Sequence, residues 1–145
     1  MPQRSILSLI AGRTILTAAP DTTVARAASL MRNKSVGAVM VVAQDGRLEG
    51  IFTERDALFR VIAEGRDPAI TRVGEVMTRD PRTIAPDRPF AHALLIMYDG
   101  GFRHVPVVEH GRPIGMVSAR DALGPELEQF DSEIERRTRI QEILG

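Results

Sequence analysis

Apolar positions recur along the chain in two matching series. The first falls at Val24, Ala27, Ala28 and Met31 and the second at Phe90, Ala93, Leu94 and Met97, the spacing of a single apolar face on a helix. Asp21 after Pro20 and Asp87 after Pro86 mark the two helix starts. A short polar turn then gives way to an almost unbroken apolar run, Val36-Gly37-Ala38-Val39-Met40-Val41-Val42 in the first half and Val105-Pro106-Val107-Val108 in the second. Runs of this length, rich in β-branched residues, predict buried strands. Asp45-Gly46 and His110-Gly111 are turn signals leading into a further strand, so each half predicts a hairpin. That strand ends in Gly50-Ile51-Phe52-Thr53-Glu54-Arg55-Asp56 or Gly115-Met116-Val117-Ser118-Ala119-Arg120-Asp121, each followed by Ala-Leu. The motif opens a second helix. In the first half this helix carries Ala57, Leu58, Val61 and Ile62 on one face and ends near Gly65, with Pro68 beyond.

The chain is therefore one unit written twice. Thr17-Ala18-Ala19-Pro20-Asp21 returns as Thr83-Ile84-Ala85-Pro86-Asp87, and Leu30-Met31 returns as Ile96-Met97. The offset is 66 residues up to the first strands and 65 from Gly46 and Gly111 onward, a one-residue loss in a turn, where such changes are tolerated. Each unit reads as helix, strand, strand, helix after a short extended segment that Pro20 or Pro86 terminates, an α+β arrangement. With 145 residues the halves are too short for independent cores and are expected to share one. Met31 and Met97 are expected as core filler. From Pro125 to Gly145, Leu127, Phe130, Ile134, Ile140 and Leu144 stand at near-helical spacing among charges, which predicts an amphipathic helix covering the body or a partner subunit.

Composition narrows the function. Nineteen basic residues balance nineteen acidic ones, which argues against a partner recruited by bulk charge, whether nucleic acid or anionic membrane. There is no cysteine, so disulfides, thiol catalysis and cysteine metal sites are excluded. Ile6-Leu7-Ser8-Leu9-Ile10-Ala11 is too short for a secretory core and lacks a cleavage site before Arg13, so the cytoplasm is expected. No apolar run reaches the roughly 18 residues of a membrane span. His92 and His110 have no second ligand at metal spacing. Asp99-Gly100-Gly101 is read as a turn, with no Gly-Lys-Ser/Thr after it to make a phosphate loop. No activated nucleophile or carboxylate pair points to catalysis.

The motif itself admits two readings. Thr53 with Asp56, and Ser118 with Asp121, have the spacing of a capping box, which does no more than satisfy helix N-H groups. Alternatively the glycine admits a ligand beside a helix N-terminus that favours anions, and the hydroxyl and carboxylate bind a phosphate and a ribose diol.

Taken together, Gly-x-x-Thr/Ser-x-x-Asp at the end of each half, Arg103-His104-Val105-Pro106-Val107-Val108, and Val73-Gly74-Glu75-Val76-Met77 opening the second half resemble a pair of CBS domains, from about Leu7 to Leu123. The resemblance implies repeats at 7–66 and 73–124 and a C-terminal helix at 125–145. Each repeat would be a small three-stranded sheet flanked by two helices, the two related by a pseudo-twofold axis. Two clefts between repeats would bind adenosyl ligands: AMP first, then NAD, ADP, ATP or S-adenosylmethionine. Carried over, Asp56 and Asp121 hold ribose hydroxyls, Thr53 and Ser118 hold ribose or the first phosphate, and Ile51 and Met116 pack on the nucleoside. The extended segment of the opposite repeat supplies Arg82 and Thr83 to the Asp56 site and Ile15 and Leu16 to the Asp121 site. Arg103 and His104 are the phosphate candidates, with Arg55 and Arg120 behind them. Gly37 and Ala38 stand where the second repeat has Arg103 and His104, so phosphate binding is expected to be lopsided. The implied protein is a homodimeric, non-catalytic regulatory pair with no appended domain, acting through an unknown protein target. The alternative is a nucleotide-independent interaction scaffold in which the motif residues only cap helices.

Overall fold

The computed structural model describes residues 4–122 and the backbone of 125–144, with side chains from 130 on. Leu123, Gly145 and the Leu127 side chain lie outside the described residues. In chain order the elements are α1 Ile6–Ile10, β1 Thr17–Ala18, α2 Val24–Lys34, β2 Ala38–Val42 and β3 Leu48–Thr53, then α3 Glu54–Asp56 running on as a π-helix Ala57–Ile62. The second half has α4 Val73–Val76, β4 Thr78–Arg79, α5 Phe90–Gly100, β5 His104–Glu109 and β6 Arg112–Ser118. A 3-10 turn Ala119–Asp121 and α6 Pro125–Leu144 follow.

The predicted helices and hairpins are present, except that the Ser118 motif opens only the three-residue 3-10 turn Ala119–Asp121, after which the chain is extended at Ala122, and not a second helix. α2 starts at the Thr23 cap, whose hydroxyl accepts from Arg26 N-H, and buries Val24, Ala27 and Met31; Ala28 faces solvent. α5 buries Phe90, Ala91, Ala93, Leu94 and Met97 and ends at Gly101 in the left-handed conformation, so Asp99 and Gly100 belong to its last turn rather than to a separate loop. At His110-Gly111 both φ angles are positive, 54° and 78°, the geometry of the two-residue hairpin turn that matches strand twist.

The sheets are β1-β2-β3-β4 and β5-β6. Ile84 makes a parallel bridge to Val107 and acts as the third strand of the second sheet, as β1 does in the first. The repeats are interlocked because each sends its leading segment into the other. α1 puts Ile6 and Ile10 into the core of the second repeat with Phe90, Val105 and Val117. Reciprocally, Val73, Val76 and Met77 from the α4 segment enter the core of the first, with Phe52 and Val61. The bridges Ser5–Pro89 and Thr23–Arg72 mark the two crossings, and β4 pairs antiparallel with β3. The sequence gives no periodic signal for α1, a five-residue helix.

The motif glycines face these crossings. A Cβ on Gly50 would lie 2.5 Å from Met77 Sδ and 2.8 Å from the Thr78 carbonyl oxygen, and one on Gly115 would lie 2.8 Å from Ile10 Cβ. What approaches each strand end at its glycine is the chain's own crossing segment, not a ligand as the sharper sequence reading had it.

Two further expectations change. In the π-helix the Ala57/Val61 column keeps the core contact, while Leu58 and Ile62 stand 50% and 68% exposed. The extra residue per turn of a π-helix rotates the second column out of the face that α-helical spacing predicts. In α6, Phe130 packs on the second core and meets Tyr98 edge-on at 5.7 Å, and Arg137 bonds Asp99 at 2.5 Å. Ile134 is half-buried, but Ile140 and Leu144 are exposed, because the helix runs past its contacts on α5.

Replacing Gly50 by Ala forces β4 off β3. The expected loss is about 1–3 kcal/mol in urea denaturation, the range of core overpacking, and a neutral Gly50→Ala would contradict the crossing contact.

Candidate functional site

Two cavities open where the crossing segments pass the ends of β3 and β6. The larger has a volume of about 610 Å³. β3 and the start of α3 bring Ile51, Thr53, Arg55 and Asp56 to it, the segment after β4 brings Asp80, Pro81 and Arg82, and the turn into β5 brings Phe102, Arg103 and His104. The smaller, about 150 Å³, joins Arg13 to Leu16 with Met116, Ser118, Arg120 and Asp121, and a further space of about 520 Å³ beside it is lined by Arg13, Thr14, Leu16, Ser118 and Asp121. Each therefore combines one repeat's motif with the other repeat's crossing segment. Of the residues singled out from sequence, all except Thr83 line one cavity or the other; Thr83 is exposed beside Ile84, past the cavity wall. Arg103 goes to the larger cavity, and His104 stands between the two.

Both motifs form their caps. Thr53 N-H donates to Asp56 Oδ2 at 3.0 Å, and Asp56 N-H donates to Thr53 Oγ1 at 3.1 Å. Ser118 N-H donates to Asp121 Oδ2 at 2.9 Å. Beyond the caps the two carboxylates differ. Asp56 Oδ1 has only long contacts, 3.4 Å from the Thr78 hydroxyl and 3.6 Å from Arg60 Nε. Arg60 is tied to the Met77 carbonyl at 2.8 Å and is not part of the cavity lining. Asp121 is gripped on both oxygens by Arg13, at 2.8 and 3.1 Å.

His104 lines both cavities. Space for it comes from Gly37, where an added Cβ would lie 3.0 Å from Glu54 Oε1 and 3.3 Å from His104 Cε1. The small pair Gly37-Ala38 and the bulky pair Arg103-His104 are thus two sides of one fit.

Burial pushes the His104 imidazole below its ordinary value; Glu54 and Asp121 oppose this, while Arg103 and Arg120 add to it. For Asp121, burial would raise the carboxyl, but the Arg13 and Ser118 hydrogen bonds and the charges of Arg13 and Arg4 outweigh it and hold it low. Larger parts of the lining were missed from sequence. Phe59 and Phe102 bring aromatic faces to the larger cavity, and they are two of only five phenylalanines in the chain. Phe59 stands about one turn beyond the motif, and that spacing is the signal in the sequence that points it toward the cleft. His92 and His110 are surface residues. Among the described residues no group of three His, Cys, Asp or Glu could hold a metal, and none of the described helices is long and apolar enough to cross a membrane.

The CBS domain model matches residues 9–63 and 73–125. The chain belongs to the CBS-domain family. A mitochondrial CBS-domain protein of Arabidopsis thaliana, CBSX3, is 36% identical over 120 residues, which are 80% of this chain and 58% of that protein. The chain thus spans little more than half the length of this curated relative. The solved structure of a CBS-domain protein from Burkholderia ambifaria is 36% identical, with TM-score 0.73, and the match covers 80% of this chain and 86% of that one. The Pyrobaculum aerophilum CBS protein PAE2072, solved with AMP, has TM-score 0.79 at 22% identity, covering 89% and 99%. The tandem CBS repeats of this chain share that fold.

With its folded value depressed, His104 binds fewer protons in the folded CBS pair than in the unfolded chain. Stability is accordingly lost as pH falls through the ordinary histidine range, from about 6.5, toward the lower folded value. Urea unfolding of the wild type is expected to weaken from pH 7 to 5 more than that of His104→Gln, and parallel pH profiles would contradict it.

Proposed function

We propose that this CBS pair is an adenine-nucleotide sensor that takes its ligand in the larger cavity and acts through a protein partner. The observation that carries the reading is the convergence, in one cavity of about 610 Å³, of a carboxylate whose Oδ1 has only long contacts, two phenylalanines and three arginines. These are the groups that a ribose diol, a purine face and a phosphate each require. Asp56 accepts from the ribose hydroxyls, since Oδ1 has only two long contacts to give up. Ile51 and Phe102 flank the base. Arg103, Arg82 and His104 face the phosphate, the arginines as planar forks. AMP is the preferred ligand because the basic group is compact, and NAD and ADP are the nearest alternatives. The AMP complex of the Pyrobaculum protein of the same fold supports an adenosine ligand.

Signalling follows from the location. A ligand bridging residues of both repeats favours one arrangement of the repeats over another, and it shifts their balance only by its difference in affinity for the two. The proposed assembly is a cytoplasmic homodimer through the helices that flank the clefts. The scaffold reading draws on the same structure, because both motifs make capping bonds without a ligand and Leu58, Phe59 and Ile62 form an exposed apolar strip.

A thermal-shift titration with AMP, NAD, ADP, ATP and S-adenosylmethionine separates the two. AMP at about a hundred times its Kd is expected to add about 2.7 kcal/mol of stability. Asp56→Asn should abolish that gain, and Arg103→Ala should weaken binding about tenfold, the cost of a lost charge-assisted bond. No stabilisation by any of these ligands would leave the scaffold.

A further inference from the structure

The two clefts are built from equivalent segments, yet only one has its carboxylate clamped on both oxygens by an arginine. On the 66-residue offset, Gly12 and Arg13 correspond to Thr78 and Arg79. In the larger cavity, Thr78 places its hydroxyl 3.4 Å from Asp56, and Arg79 turns away to the Gly74 carbonyl at 3.1 Å. In the smaller one, Gly12 offers no side chain and has φ of +76°, a conformation that suits glycine. The chain turns there, and Arg13 reaches across to clamp Asp121 through both oxygens. With Ser118 N-H on Oδ2 as well, three donors already occupy the carboxylate that a ligand's hydroxyls would have to reach. Spaces of about 150 and 520 Å³ lie beside the clamp, so it is the occupied carboxylate and not a lack of room that closes this cleft.

We propose that Arg13 is the residue that decides cleft choice: by occupying the diol-binding carboxylate of Asp121 it restricts the chain to one nucleotide, bound at Asp56. This rests on the nucleotide reading above and adds to it the stoichiometry and its cause. The second cleft opens only when Arg13 is displaced, so a ligand there competes with an arginine of the same chain. A fork on a carboxylate is the strongest side-chain pairing available at such a site. A phosphorylated ligand would compensate by giving the released guanidinium an anion, whereas a nucleoside would not.

Calorimetric titration of the whole chain with AMP tests this, using wild type, Arg13→Ala and Arg13→Gln, with Asp121→Ala in the Arg13→Ala background as the site control. The expected result is about one equivalent for wild type and about two for either Arg13 variant, with the second equivalent gained at least tenfold in affinity and lost again with Asp121→Ala. Two equivalents in wild type, or one in both folded Arg13 variants, would overturn the clamp and leave the nucleotide reading intact. No binding by wild type or either variant would overturn both. Using two variants with unrelated replacement side chains guards against one that fails to fold.

Discussion

The contact between each motif glycine and the opposite repeat's leading segment is the constraint on which the rest of this molecule depends. Met77 and the Thr78 carbonyl lie against Gly50, and Ile10 lies against Gly115. Side chains at those glycines would drive the crossing segments away. With the segments seated, each core is completed by residues from the other half, Val73 and Val76 in one and Ile6 and Ile10 in the other. A half-chain would expose those apolar surfaces, and small domains have little burial to spare. The crossing also delivers 78–82 and 13–16 to the mouths of the two clefts, so the same contact that joins the repeats assembles the binding walls.

From that common geometry the two clefts diverge through few residues. Gly37 and Ala38 clear the volume that His104 fills, and His104 then becomes a wall of both cavities. Gly12 in place of Thr78's equivalent frees the chain to bring Arg13 onto Asp121. A symmetrical fold therefore carries an unsymmetrical pair of sites. The Thr53–Asp56 box and the Ser118 N-H bond to Asp121 give the motif a structural role in both repeats; what distinguishes the Asp56 copy is an oxygen, Oδ1, with only long contacts.

Much of this was legible in the sequence because it is local. Apolar spacing at Val24 to Met31 and Phe90 to Met97, the β-branched runs and the Asp45-Gly46 and His110-Gly111 turns each depend on neighbours within a few residues. The duplication supplied the pairing of Asp56 with Arg82 and of Asp121 with Leu16, through the resemblance to CBS pairs. What sequence did not reveal is non-local or conformational. α1 is too short to show a period, and its burial depends on Gly115, about a hundred residues away. The π register, which exposes Leu58 and Ile62, leaves no mark in composition. Arg13 differs from its counterpart Arg79 only in what surrounds it. Gly50 and Gly115 are plain in the sequence, but a missing Cβ does not say who takes the space, and here it is the opposite repeat and not a ligand.

The most direct test of the account is a crystal structure of the protein grown with saturating AMP. It predicts AMP in the larger cavity, its ribose hydroxyls on the Asp56 carboxylate and its phosphate beside Arg103 and His104, touching both repeats at once. AMP bound elsewhere, or that cavity empty at saturation, would contradict it.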